Sequence, residues 1–140
     1  MFDRIRRHHG RGQALVEFAI IIPIFLLVIF GLVDLGRAVF VNNSLAEAAR
    51  DGARYGSVQA RGYDDARRTA VEDWVLARLV SVPNATVTVT CVAPPASPGC
   101  TVNDVLIVTA EADLEMITPI IGQIVGTLAL DGRSEVLVNN

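Results

Sequence analysis

The sequence predicts an α+β chain. A long N-terminal helix crosses a membrane and continues beyond it as a stalk. A small domain of one or two helices and a three-stranded antiparallel sheet follows. Three observations carry this prediction. Residues 18–33 read FAIIIPIFLLVIFGLV, sixteen in a row without a charge. Residues 85–92 alternate apolar and polar side chains with the period of two of a half-buried strand, and residues 102–114 read as its return strand, apolar at every second position from Leu106 to Leu114. Between them lies Ala93-Pro94-Pro95-Ala96-Ser97-Pro98-Gly99, a loop composition bracketed by the two cysteines, Cys91 and Cys100.

Composition narrows the function. A chain of 140 residues holds one domain, or a membrane segment plus a small domain. Hydrophobic residues make up 51% and charged residues 19%, which excludes bulk disorder. The net charge of −3 argues against nucleic acid as a partner. All 12 basic residues are Arg, so Schiff-base chemistry and a Lys-headed phosphate loop are absent. Both histidines, His8 and His9, fall in the first ten residues, leaving no imidazole elsewhere for a triad or a zinc site. No enzyme, cofactor or metal centre is expected.

The apolar run, extended back to Gln13, spans twenty-one residues and includes one carboxylate, Glu17. As a helix it is about 31 Å long, close to the hydrocarbon thickness of a bilayer. A buried core helix fits less well, because so short a chain has little other mass to wrap it. A cleaved secretory signal also fits less well, since Val33-Asp34-Leu35-Gly36-Arg37 is a poor small-x-small site. Arg4, Arg6, Arg7 and Arg11 precede the span against Asp3, while Arg37, Arg50 and Arg54 are spread over residues 34–56. That asymmetry puts the N-terminus in the cytoplasm and the C-terminal domain outside it. The expected organisation is therefore a basic leader (1–12), a membrane helix (13–33), a helical stalk (34–56) and an extracytoplasmic α+β domain (57–140).

A carboxylate one turn inside an apolar span is costly unless it has a partner, the bland alternative being a wet position among headgroups. The neighbours of Glu17 are informative. A basic leader ends in Gly12, an apolar segment begins at Gln13, and Glu17 stands five residues after the Gly. In this the sequence resembles a type IV prepilin. The resemblance implies cleavage after Gly12 by a prepilin peptidase, with Gln13 as the new N-terminus. The amine so created is charged at neutral pH, and a neighbouring subunit's Glu17 could neutralise it.

The likeness extends further. Gly12-Gln13-Ala14-Leu15-Val16-Glu17-Phe18-Ala19, then Pro23, then Gly31-Leu32-Val33-Asp34-Leu35-Gly36-Arg37, then Ala48-Ala49-Arg50-Asp51-Gly52-Ala53-Arg54-Tyr55-Gly56 resembles the TadE-like family. That family comprises pseudopilin-like components of bacterial tight-adherence (Tad, Flp-type) pilus assembly, and the likeness implies a pilin-like fold. It implies as partners a prepilin peptidase, other pilin or pseudopilin subunits, the Tad inner-membrane assembly platform and membrane lipids. The implied location is the cytoplasmic membrane, with incorporation in the pilus left open. The other reading is an uncleaved single-pass anchor carrying an extracytoplasmic interaction module.

Pro23 interrupts the span, either as a weak point or as an ordinary membrane-helix proline. Ser44, Ala48, Gly52 and Gly56 form a small-residue stripe at four-residue spacing, suited to close helix packing. Gly52 is expected to face this chain's own domain, and Ser44 and Ala48 stay open. Glu47, Arg50, Asp51 and Arg54 read as a solvated face. Asp64-Asp65 should cap a helix running to about Val80, with Ala70, Val71, Trp74, Val75 and Leu79 on one side and Trp74 as a core anchor. Val87, Val89 and Cys91 should share one face of the first strand. Leu106, Val108, Ala110, Ala112 and Leu114 should share one face of the second. Glu111, Asp113 and Glu115 on the other face read as a solvated surface rather than a calcium site. Thr118-Pro119 should open a short helix with Ile120, Ile121, Ile124 and Val125. Thr127 to Val138 supplies a third strand, bent at Gly132 or folded as a hairpin at Asp131-Gly132. Strands joined by the proline loop would bring Cys91 and Cys100 opposite each other, for a disulfide in an oxidising compartment or two buried thiols otherwise.

Overall fold

The computed structural model describes residues 9–59, 65–92, 100–101, 103–118, 122–124 and 126–138. Helix α1 runs from His9 to Gln59, 51 residues without a break, and passes through Pro23. At the standard rise it is about 76 Å long. From Gly12 to Val33 none of its residues is buried, so it is not the core helix of a globular fold. By length and composition it is able to cross a membrane.

Beyond Asp34 the same helix changes character. Val41, Leu45, Ala48, Ala49 and Ala53 are buried and belong to the hydrophobic core. They pack against a sheet of order β1-β2-β3, built from Thr86–Val92, Val105–Glu115 and Thr127–Leu137. Both pairings are antiparallel, which gives a pilin-like α+β layout. The central strand β2 buries Leu106, Val108, Ala110, Ala112 and Leu114. Its opposite face carries the exposed Glu111, Asp113 and Glu115, as expected of an antiparallel sheet with one wet side. Strand β2 descends while α1 climbs: the Cα positions of Gly56 and Gly52 lie over Leu106 and Val108 respectively. Near the start of the stalk, Asp34 bonds Thr118.

Helix α2 (Asp65–Leu76) closes the core with Val71 and Val75. It stops four residues short of the expected Val80. After Leu76 the backbone tightens to i→i+3 bonds (Arg78 to Val75, Leu79 to Leu76, Val82 to Leu79), and Asn84 turns the chain at φ 55°. Leu79 is still buried, which is why its spacing resembled a continuing helix. Ala70 is exposed, because the buried stripe is set by Val71 and Val75.

One further expectation needs correction. Strand β2 begins at Val105 rather than 102. Asp104 accepts bonds from the Thr101 amide (2.6 Å) and hydroxyl (2.8 Å), and this turn, with Asn103 at φ 76°, delays the strand. Strand β3 is the single third strand expected, and the hairpin alternative at Asp131-Gly132 does not form. Gly132 pairs with Ala110 in unbroken register, and a Cβ there would collide with the backbone of Leu45 and Ala46. The glycine serves close helix-on-sheet approach, not a turn. Asp64, the proline loop 93–99, Pro119, Ile120, Ile121 and Val125 lie outside the described residues.

Candidate functional site

The N-terminal region of α1 carries the residues that the sequence singled out for processing and pairing. Gly12 and Gln13 are exposed within continuous helix, and a side chain at Gly12 would meet nothing within 4 Å. Glu17 is exposed and accepts one bond, from the Gln13 side-chain amide at 3.2 Å across one helical turn. Around them, Leu15, Val16, Phe18, Ile20 and Ile21 project outward at more than half exposure. A lone carboxylate on an apolar helix surface is thus presented to whatever surrounds the helix.

The other end of the apolar segment holds a site that sequence reasoning missed. Asp34 is 4% exposed. Its Oδ1 accepts the Ile117 amide at 2.9 Å, and its Oδ2 accepts the Thr118 amide at 2.9 Å and the Thr118 hydroxyl at 2.6 Å. Arg37, one turn on, stands 3.6 Å from Asp34 and donates to the Glu115 carbonyl at 3.3 Å. The Thr118 hydroxyl, then the Ile117 amide, hold the Asp34 carboxyl below its ordinary value. Burial opposes them, and the Thr118 amide and the Arg37 charge add to the lowering. The arrangement locks the base of the sheet to the foot of the stalk through charge-assisted bonds. Sequence gave one hint, a carboxylate with Arg at i+3 directly after the apolar run. Its partner lies 84 residues away.

The small-residue stripe lies against this chain's own domain. Gly52 is the approach point for Val75 and Val108, and Gly56 for Leu106 and Val71. Ala48 is buried in the same core. Ser44 is half-buried and returns its hydroxyl to the Phe40 carbonyl at 2.9 Å. Beside the stripe, Tyr55 stacks on Trp74 with ring centroids 4.6 Å apart, and Arg78 covers Trp74 at 3.2 Å. Trp74 is half-buried and packs against the core. An open groove of about 370 Å³ borders this stack, lined by Asp51, Arg54, Tyr55, Val58, Gln59 and Trp74.

At the far end of the sheet, Cys91 and Cys100 form a disulfide with Cα atoms 5.7 Å apart. Asp104 lies close to both sulfurs, but disulfide sulfurs are not thiolate ligands, so the three do not make a metal site.

The family model described as TadE-like protein matches residues 12–54. This segment is TadE-like. The match begins at Gly12 and ends inside the buried stripe, so it takes in Glu17, Asp34 and Arg37 together. The sheet that receives the TadE-like helix lies beyond the matched residues. No curated protein and no solved structure matches the chain.

Proposed function

We propose that this chain is a pseudopilin-like structural component of a bacterial Tad (tight-adherence, Flp-type) pilus assembly system. A prepilin peptidase cuts it after Gly12 on the cytoplasmic face. The helix from Gln13 stays in the cytoplasmic membrane, and the α+β domain stands outside it. The observation that carries this reading is the division of one continuous helix. Its first part is bare, apolar and TadE-like with a single carboxylate, and its second part is fixed to a sheet.

The physical logic follows from that division. A bare apolar helix gains little from associating with like helices beyond packing, because lipid is equally apolar. A charge pair adds direction. Cleavage creates an amine at Gln13, and Glu17 of an adjacent subunit meets it, each charge being costly alone in the bilayer. The partners are then other pilin or pseudopilin helices and the assembly platform that gathers them, and the role is structural rather than catalytic.

Piliation tests this reading. In the encoding bacterium, deletion of the gene should abolish Flp-type pili, and the wild-type chain should restore them. Glu17→Ala should still insert in the membrane and fail to restore piliation. Normal pili in the deletion strain would assign the chain instead to an uncleaved anchor for an extracytoplasmic interaction module. Normal pili with Glu17→Ala alone would reduce Glu17 to a wet interfacial residue.

A further inference from the structure

The β2–β3 connection is unusually apolar for an exposed turn. Residues 116–125 read MITPIIGQIV, ten without a charge. Ile117 is 53% exposed and Ile124 80% exposed. Thr118 is buried by contrast, and its carbonyl accepts the Gly122 amide at 2.8 Å. Its place is fixed by the Asp34 lock, because the Ile117 amide is bonded to the carboxylate of the residue that directly follows the apolar span.

That placement sets the depth. If α1 crosses the bilayer over residues 13–33, Asp34 lies at the boundary between acyl chains and headgroups. The headgroup layer beyond is about 5–7 Å thick. Leu35, Val39 and Phe40 on the stalk are also more than half exposed and lie within about 9 Å of Asp34 along the helix. They add exposed apolar side chains at the foot of the stalk. Arg37 sits among them, with a guanidinium that can meet lipid phosphate.

We propose that the base of the outer domain is a second membrane contact, in which Ile117 and Ile124 insert among the lipid headgroups beside the end of α1. The occupant of this surface is lipid, because the Ile117 amide is bonded to Asp34, the residue that directly follows the apolar span. Asp34 then works as a spacer that holds the sheet against the bilayer surface and limits tilting of domain against membrane. The inference rests on α1 spanning the membrane.

Tryptophan depth measurements test both. In a Trp74→Phe background, single tryptophans are placed at Ile124, Ile117, Leu26 and Val58 of the full chain, reconstituted in vesicles containing phospholipids brominated along their acyl chains. Leu26→Trp reports the middle of the span. Val58→Trp, about 36 Å beyond Asp34 along the helix, reports solvent. Ile124→Trp and Ile117→Trp should lose emission to bromines near the headgroup end more than to deep ones, with a blue-shifted maximum, while Val58→Trp loses none. Quenching of Leu26→Trp with none at either isoleucine position would overturn the second contact and leave the span intact. An unquenched Leu26→Trp would overturn both.

Discussion

Substituting Gly132 by Ala probes the closest approach of helix and sheet. The added methyl would lie 2.6 Å from the Leu45 carbonyl oxygen, with the Leu45 carbonyl carbon and Ala46 nitrogen closer still. Ordinary contact begins at 3.4 Å, so α1 must withdraw by about 1 Å to clear the nearest of these atoms, and no rotamer change can relieve a backbone collision. Leu45 is fully buried and loses packing as the helix lifts. A gap of that size forfeits about a quarter to a half of a contact's attraction. Against burial of about 1.5–3 kcal/mol for a leucine, this is about 0.5–1.5 kcal/mol. Overpacking adds about 1–3 kcal/mol, and the loss of unfolded-state freedom from Gly to Ala returns about 0.4–1 kcal/mol. The net destabilisation is about 2 kcal/mol, or a fall in Tm of about 8–16 °C for a domain of this size. The assay is thermal unfolding in detergent micelles followed by Trp74, whose stack with Tyr55 reports the outer domain. Gly36→Ala is the matched control, since nothing lies within 4 Å of that position and the helix should tolerate or favour the methyl. A Gly132→Ala protein that melts with the wild type would refute the close-approach argument and revive a turn at Asp131-Gly132.

Two other predictions follow from the clamp and the staple. The Asp34 carboxyl is held below its ordinary value near 3.8, so its stabilising contribution is complete above that pH and fades as pH falls through the lower folded value. Protection factors at the Ile117 and Thr118 amides should therefore fall as pH drops through the lowered folded value in the wild type, and already be low at neutral pH in Asp34→Asn; protection unchanged by either treatment would remove Asp34 as the lock. Converting Cys91 and Cys100 together to Ser should cost about 2–3 kcal/mol, read as an earlier melt of the double variant than of the oxidised protein, and coincident melts would show that the staple contributes nothing.

Much of the architecture was legible because it rests on local periodicity. The alternation of Val87, Val89 and Cys91, and of Leu106 through Leu114, reports one face of a strand whatever surrounds it. The length of α1 was legible because sixteen uncharged residues have few other uses. What the sequence hid was long-range. Asp34 looks like any charge after a membrane span, and only the fold brings Thr118 to it. Asp131-Gly132 has the composition of a hairpin turn, and only the nearby helix backbone shows the glycine to be a contact point. The end of α2 was overrun because Leu79 keeps helical spacing while its backbone has already left the α-helix. For the TadE-like segment, the order of separated blocks was readable and Gly52 was expected to face this chain's own domain, whereas Ser44 and Ala48 stayed open until the fold showed Ala48 buried in the same core.

The central claim is that this helix belongs to a processed, pilin-like subunit. Its most direct test is intact-mass and N-terminal mass spectrometry of the full chain expressed with and without an active prepilin peptidase. A chain beginning at Gln13 is expected only when the peptidase is present, and an N-terminus still preceding Gly12 when it is absent or when Gly12 is replaced. An uncut leader in the presence of a peptidase that processes a control prepilin would contradict it.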